Sequence, residues 1–388
     1  MSEVLKTIIN RPCIILFSLI VMYRPEYLIQ YNSLDVVINI LRVGVVLLIM
    51  LTYLSAKSPS KAVLWNIIIF GGYNIWCLST ETWTFSVFIE FVLIVCINML
   101  VELLIKNNIK LLNQSLKYML FVYAILNTFT IIINAEVENL FLGFDNDISM
   151  RVIPLIGVMF YTSMIVSGCL RWTDYMIYAL FLFDFLLTWS ATSLITMVIM
   201  GGVIFFDRIK LRWINSKTII GGVIFVWICL FVFKIQSLLS SILVGVLNKD
   251  ITFSYRMYIW DSVVTAIKQR PIGGFGNVMN SQPYYDITYK MYYASIAPHN
   301  FWLYVCASAG IIGVILMIVY MCWCFRSIDL YPKYKSSKIL LGTFLAYMLC
   351  GIFSSYYGFE YLAFLLAIAC NDKKIKQSSL NCLAREGE

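Results

Sequence analysis

A series of apolar runs, most of them about 20 residues long, constrains this chain more than any other feature. Of its 388 residues 61% are apolar and only 13% are charged, with a mean hydropathy of +0.83. A water-soluble fold of this length cannot bury so much apolar surface, so lipid must be the solvent. Because hydrocarbon does not tolerate unpaired backbone groups, each run must be a helix. The sequence therefore predicts an all-α, polytopic integral membrane protein.

Ten of these runs are long enough to cross a bilayer, and two weaker runs at 12–30 and 357–370 bring the predicted number of transmembrane helices to about twelve. The boundary between residues 190 and 191 separates two adjacent runs. The ten longer runs lie at 34–54, 62–79, 84–104, 116–134, 152–170, 174–190, 191–206, 217–236, 299–324 and 338–356.

The distribution of basic residues predicts the orientation of these spans. With both termini on the cytoplasmic side, the inner segments hold 20 of the 29 Lys and Arg residues, which is the bias typical of cytoplasmic segments. The net charge of +8 is then a consequence of topology and gives no reason to expect a nucleic-acid partner. The partner that the composition does imply is the lipid bilayer.

One large outer loop interrupts an otherwise tightly connected chain. We expect residues 1–388 to form a single membrane domain, with the loop at 237–298 between spans 9 and 10 carrying part of a functional site, because long loops in compact proteins are usually functional or disordered. Within it, Leu238–Leu247 is predicted to be a short amphipathic segment on the membrane. Helical spacing continues over Arg256–Gln269 until Pro271 stops it.

The chain has one histidine, His299, where this loop re-enters the membrane. Imidazole titrates near neutrality and can take a proton from a hydroxyl nucleophile during group transfer. Asn300 beside it is a candidate for orienting a substrate. The alternative is an interfacial histidine that is hydrogen-bonded at a helix N-terminus.

Three outer arginines near predicted helix ends, Arg151, Arg256 and Arg270, form the second candidate feature. The planar guanidinium binds phosphate oxygens with two parallel hydrogen bonds, so a lipid pyrophosphate is a natural ligand. The alternative is that these arginines extend to lipid headgroups or pair with acids on the same side, namely Asp145, Asp147 or Asp261.

Aromatic and glycine residues of the loop supply further candidates for substrate contact. Trp260 shares a helix face with Arg256, and Gly274 and Gly276 lie in a turn where the backbone can approach a partner closely. Tyrosines crowd the end of the loop, and aromatic faces of this kind stack on sugar rings, although interfacial tyrosine is also common in membrane proteins. From this tyrosine cluster we single out Tyr289 and Tyr292.

The acids within the predicted spans, Asp184, Glu90 and Glu102, lie near helix ends or polar neighbours. Buried acids in spans are candidate functional groups, but here interhelical hydrogen bonds are the more economical expectation. The eleven cysteines show no metal-ligand spacing with the histidine, and the sequence contains no phosphate-binding glycine loop. We therefore expect an enzyme that works without a metal or another cofactor.

Taken together, these residues resemble the O-antigen polymerase and ligase superfamily of bacterial polysaccharide assembly. The resemblance rests on Arg256-x-x-x-Trp260, on the glycine turn Pro271-x-Gly273-x-x-Gly276, and on His299-Asn300-x-x-Leu303 followed by Gly310-x-x-Gly313. Arg151-Val-Ile-Pro154, at an outer helix start, is similar to that family's first arginine site.

The resemblance implies a GT-C-like membrane fold and a metal-independent, inverting glycosyltransferase of the bacterial inner membrane. It implies a glycan on undecaprenyl pyrophosphate as both donor and acceptor, and a chain-length regulator protein as a candidate partner. His299 would be the general base, and Arg151 and Arg256 would hold the pyrophosphate leaving group. Arg270 and the tyrosines would have a weaker role in glycan contact.

Polymerisation of lipid-linked repeat units into O-antigen or capsular polysaccharide is the activity we favour. A ligase that transfers finished glycan to another carrier would use the same donor chemistry. A polysaccharide flippase is the alternative from a different class. It would need a polar cavity at the bilayer midplane with charges in several spans, and it has no need for a base in an outer loop.

Overall fold

The computed structural model describes residues 11–55, 60–107, 109–133, 140–143, 145–205, 215–231, 233, 256–292, 297–330, 335–354 and 359–377. Every element within these ranges is helical, as predicted. The elements are α1 Pro12–Met22, α2 Asn32–Ser55, α3 Lys61–Ser79, α4 Phe85–Asn107, α5 Ile109–Ile133, α6 Asp145–Ser167, α7 Trp172–Leu187, α8 Ala191–Phe205, α9 Ser216–Phe231, α10 Arg256–Gln269, α11 Gln282–Tyr292, α12 Phe301–Leu330, α13 Lys335–Phe353 and α14 Phe359–Cys370, with short 3₁₀ turns at Glu26–Gln30 and Val278–Asn280.

Each of the twelve predicted apolar runs contains one helix of the bundle. Seven helices in the described part of the chain, α2 to α6, α12 and α13, are long and apolar enough to cross a membrane. The remaining five, α1, α7, α8, α9 and α14, have between 11 and 16 residues. The boundary predicted at 190/191 is also present, because α7 ends at Leu187 and α8 begins at Ala191. The polytopic membrane class is thus confirmed.

Helices α6, α13 and α14 form the centre of the bundle, where α13 packs on α6 and α8, and α14 packs on α4 and α6. Small residues allow this close approach, since helices in lipid associate by packing rather than by the hydrophobic effect. A Cβ atom at Gly157 of α6 would collide with the side chain of Thr343 on α13. The contact between the two central helices therefore depends on a glycine.

The intramembrane acids hold helices to one another, as expected. Asp184 of α7 accepts hydrogen bonds from Asn127 and Thr128 of α5. Glu102 of α4 accepts one from the Tyr53 hydroxyl of α2, at 2.8 Å. Glu90, on α4, accepts from the backbone N–H at the start of α14. These acids therefore contribute to the assembly of the bundle.

Within the predicted outer loop, α10 has the predicted bounds and is followed by Pro271. The predicted segment Leu238–Leu247 lies outside the described residues. Helix α10 packs on α11 and on the first turns of α12, and all three contribute to a separate apolar cluster, which we call the loop core. Its buried members are Ile259, Trp260, Val263, Ala266, Phe275, Val278, Tyr284, Leu303 and Ala307.

Candidate functional site

Helix α12 is broken at Gly310, where the backbone adopts φ 63° and ψ −164°. The break divides it into an upper half, Phe301–Ala309, which contributes to the loop core, and a longer lower half. Breaking a helix releases backbone groups that cannot remain unpaired at membrane depth. Partners for the released groups must therefore come from elsewhere in the chain.

The loop between α10 and the following 3₁₀ turn supplies those partners. The N–H groups of Phe275 and Gly276 donate to the carbonyls of Ala307 and Ser308, at 2.8 and 2.9 Å. Beyond the break, the N–H of Ile311 donates to Pro271 at 2.9 Å, and Ile312 bonds to the neighbouring carbonyl. The loop and the broken helix thus satisfy each other's backbone.

The glycines predicted to allow a close approach make that approach to α12 itself. Gly274 has φ +69°, and a Cβ on it would lie 2.6 Å from the carbonyl oxygen of Ala307. Gly276, with φ +78°, faces the hydroxyls of Thr80 and Thr82 in the turn after α3. Their visible role is to dock the loop, and contact with a substrate stays a prediction.

His299 immediately precedes the upper half of α12 and has a left-handed backbone, with φ 49°. Non-glycine residues rarely adopt this conformation, and those that do are concentrated at functional sites. Asn300 next to it is buried. Its side chain accepts from the N–H of Leu303 at 2.9 Å and donates to the carbonyl of Ile352 at 2.8 Å, so it caps α12 and fixes the end of α13. The predicted role of Asn300 toward a substrate stays untested.

Arg256, the first residue of α10, donates to the backbone carbonyl of Phe353 at the end of α13. It also lies within electrostatic reach of His299. Burial, and secondly the positive charge of Arg256, lower the pKa of His299 from 6.5 to about 4. The imidazole is therefore neutral at physiological pH, which leaves a ring nitrogen able to accept a proton.

Trp260, one helical turn after Arg256, is buried in the loop core. Its ring lies 4.8 Å from that of Phe231 on α9 and 6.3 Å from that of Phe353, measured between centroids. This packing attaches α10 to the membrane helices and so holds Arg256 at the end of α13. A direct contact of Trp260 with a substrate stays a prediction.

The weaker candidates lie on the outside of the loop. Arg270 is exposed, and its guanidinium carbon lies 5.0 Å from the centroid of the Phe275 ring. Tyr289 is exposed on α11 and stacks on Tyr285 at 4.8 Å. Tyr292 is the last residue of α11, and its side chain lies outside the described part of the structure. Arg270 and Tyr289 are therefore placed where a bound glycan could reach them.

Arg151 lies in the second turn of α6. Its guanidinium forms an ion pair with Glu26 and donates to the carbonyl of Leu142 at 3.0 Å. Ser149, two residues before Arg151, bonds to Cys350 of α13 at 2.9 Å. Arg151 and Arg256 therefore flank the same helix end, although they are far apart in sequence.

Glu26 was not among the residues that the sequence singled out, and neither were the other charged groups around Arg151. Glu360 at the start of α14 is within electrostatic reach of Arg24, Arg42 and Arg151. A signal was available, because charged residues at the edge of or inside apolar runs are costly and usually paired. The pairing between segments could not be read from the pattern.

An apolar groove of about 570 Å³ lies beside this site, between α3 and the broken region of α12. Trp76 of α3, Tyr304 and Ser308 of α12, and Phe359 of α14 contribute to its wall. The groove runs along the break at Gly310 and continues past it down the lower half of α12. Its lining suits an aliphatic chain.

Comparison with known proteins identifies a family that part of this chain resembles. Residues 176–318 match the family model described as O-antigen ligase. The match covers less than half of the chain, and it includes α10, the glycine turn, His299 and the break in α12, but not Arg151. No curated protein matches the chain. The match agrees with the motifs and makes residues 176–318 similar to the O-antigen ligase family.

Proposed function

We propose that this protein is a glycosyltransferase that polymerises oligosaccharide repeat units carried on undecaprenyl pyrophosphate, on the outer face of a bacterial inner membrane with both termini cytoplasmic. The observation that carries the proposal is that a neutral, half-buried His299 lies near Arg256 at the N-terminal end of a broken membrane helix. A base beside a fixed cation suits a reaction in which a hydroxyl loses a proton and a phosphate leaves.

In this reaction, His299 accepts the proton of the acceptor hydroxyl. The hydroxyl oxygen forms a bond to the anomeric carbon of the donor, and the bond from that carbon to the pyrophosphate oxygen breaks with inversion. The electron pair leaves on the pyrophosphate, where Arg256 and Arg151 offset the new negative charge. Preorganised cations of this kind stabilise the transition state because they need no rearrangement at the moment of reaction.

Donor binding also strengthens the base. A free His299 with a pKa of about 4 is a weak base, partly because of the charge on Arg256. A pyrophosphate bound to Arg256 offsets that charge, so imidazolium is destabilised less and the pKa of His299 rises. The full basicity of the histidine thus develops only when the donor is in place.

The apolar groove beside Ser308 and Tyr304 accounts for a lipid-linked substrate. A polyprenyl chain lying between α3 and α12 would bring its pyrophosphate to the upper half of α12, below His299. A soluble sugar nucleotide would make no use of such a groove.

A deletion strain tests the proposal when its surface glycan is resolved by size after complementation with wild type, His299→Ala or Arg256→Ala. We expect anchored glycan stalled at a single repeat unit, with long chains restored by wild type alone. Normal chain length in the His299→Ala strain would overturn the mechanism. Membrane insertion of each variant is checked by immunoblotting of the membrane fraction.

Ligase activity is the second candidate, favoured by the description of the matching family model. The same strain discriminates between the two. Long glycan that accumulates on undecaprenyl pyrophosphate, and fails to reach its final carrier, would identify a ligase. Repeat units retained on the inner leaflet would instead identify a flippase.

A further inference from the structure

We propose that Asn127 and Asp184 are positioning residues for Arg151 and act through the short segment Leu140–Gly143. The inference rests on the proposed role of Arg151 in holding pyrophosphate. Neither residue faces the site, and both are completely buried between α5 and α7. They reach Arg151 through an unbroken series of hydrogen bonds.

The series begins at the backbone of the segment. The Asn127 side-chain oxygen accepts from the N–H of Leu142 at 3.1 Å, and Thr130 Oγ1 accepts from the N–H of Phe141 at 3.0 Å. The carbonyl of Leu142 then accepts from Arg151 Nη1 at 3.0 Å. The backbone N–H groups of the segment are thus held by α5, while the carbonyl of Leu142 is directed at Arg151.

Asp184 fixes which way the amide of Asn127 points. The Asn127 Nδ2 donates to Asp184 Oδ2 at 3.0 Å, and Thr128 Oγ1 donates to Asp184 Oδ1 at 2.5 Å. A carboxylate only accepts, so the amide must turn its NH₂ group to Asp184 and its oxygen to Leu142. Both oxygens of Asp184 accept in this arrangement, from Asn127 and from Thr128, and this fixes the orientation of the amide.

Glu26 and Leu142 then have different roles toward Arg151. The carboxylate of Glu26 competes with any anion for the guanidinium, whereas the carbonyl of Leu142 is neutral and compatible with a bound pyrophosphate. When an anionic ligand replaces Glu26, the carbonyl keeps Nη1 in place. Loss of Asn127 should therefore weaken the binding of pyrophosphate without removing any group that touches it.

The chain offers a rescue that preserves every one of these bonds. In the double variant Asn127→Asp with Asp184→Asn, the new carboxylate at 127 still accepts from Leu142, and the new amide at 184 donates to it. Thr128 keeps its acceptor at 184. The single variant Asn127→Asp instead opposes two carboxylates. Asn98→Ala is the matched control, because Asn98 is a buried asparagine that bonds only within α4 among the contacts seen.

The experiment measures the Kd of undecaprenyl pyrophosphate for the full chain in nanodiscs, together with the Tm of each variant. Arg151→Ala should raise the Kd at least tenfold, and Asn127→Ala about three- to tenfold, the range expected when one hydrogen bond is lost. Adding Asn127→Ala to Arg151→Ala should raise the Kd no further, because Asn127 acts through Arg151. The double exchange should restore wild-type binding.

Additive effects of Asn127→Ala and Arg151→Ala would overturn the inference, since a merely structural role lowers binding in both backgrounds. A wild-type Kd in folded Asn127→Ala would overturn it as well. Should Asn127→Ala fail to fold, a double exchange that folds but binds as weakly as Arg151→Ala overturns it. If Arg151→Ala itself binds normally, the proposed role of Arg151 fails, which is a separate and recognisable result.

Discussion

The pH dependence of the reaction tests the proposed base most directly. The kcat/KM profile reports the ionisation of the free enzyme, and only neutral His299 can accept a proton. Because the pKa of His299 is lowered to about 4, we expect kcat/KM to stay level from pH 7.5 down to about pH 5. The acid limb should then fall near pH 4 rather than near 6.5.

The size of the effect follows from the two pKa values. At pH 5.5, an imidazole with a pKa of 6.5 is about one-tenth neutral, whereas one with a pKa of about 4 is almost wholly neutral. The two cases thus differ about tenfold in kcat/KM at that pH. A pyrophosphate diester remains ionised throughout this range, so the substrate adds no limb of its own.

Donor binding should move the limb in a defined direction. A cation near His299 disfavours the imidazolium form, and a bound pyrophosphate offsets that cation, so the acid limb of kcat should lie at higher pH than that of kcat/KM. In Arg256→Gln the limb of kcat/KM should also move up but stay below 6.5, because burial is the larger cause of the shift.

The assay is the initial rate of chain extension by purified protein in nanodiscs, with lipid-linked repeat units as substrate. Circular dichroism at each pH confirms that the fold persists. An acid limb of kcat/KM near 6.5 would show that the pKa of His299 is not lowered and would refute this reasoning. A limb unmoved in Arg256→Gln would remove the electrostatic link between the two residues.

Three further predictions concern single residues. Gly310→Ala should lower the melting temperature strongly, because Gly310 has φ +63° and a Cβ there would overlap the carbonyl oxygen of Ile272. Gly44→Ala, which meets open space, is the control, and equal melting temperatures of the two variants would contradict the role of Gly310 in docking the loop on α12. Glu26→Gln should lower the Kd for undecaprenyl pyrophosphate about threefold, because it removes the carboxylate that competes with the ligand for Arg151. A higher Kd in this variant would show that Glu26 supports the arginine instead. Trp260→Ala should destabilise the protein by about 3–5 kcal/mol and Trp260→Phe by less, as measured by thermal unfolding, and unchanged melting would place Trp260 outside the folded core.

The sequence predicted the positions of the helices well because each helix is determined by a local hydrophobic pattern. Every predicted apolar run contains a helix, and α10 begins at Arg256 and ends at Gln269 as its spacing indicated. The break at Gly310 could not be predicted in the same way, since a single glycine in an apolar run is also compatible with a continuous helix. Its break depends on backbone bonds from a loop more than thirty residues away.

The site was predicted in its residue types better than in its contacts. His299 and Arg256 do lie close together, and Arg151 lies at the same end of α13. As the alternative to phosphate binding, the sequence pointed to Asp145, Asp147 or Asp261 as partners of the outer arginines, but the acid seen paired with Arg151 is Glu26, 125 positions away. Which acid reaches an arginine depends on how the turn Glu26–Gln30 and α6 are brought together, and the hydrophobic pattern of neither element contains that information.

The proposed catalytic groups belong to two separately supported bodies. His299 immediately precedes α12 and Arg256 begins α10, and both helices contribute to the loop core. The loop core is fixed to the bundle by the backbone bonds at the break in α12 and by the packing of Trp260. Arg151 is held instead by α5, α7 and the segment Leu140–Gly143. A pyrophosphate that contacts both arginines must therefore bridge the loop and the bundle across the end of α13, which ties the affinity for the donor to the relative position of these two bodies.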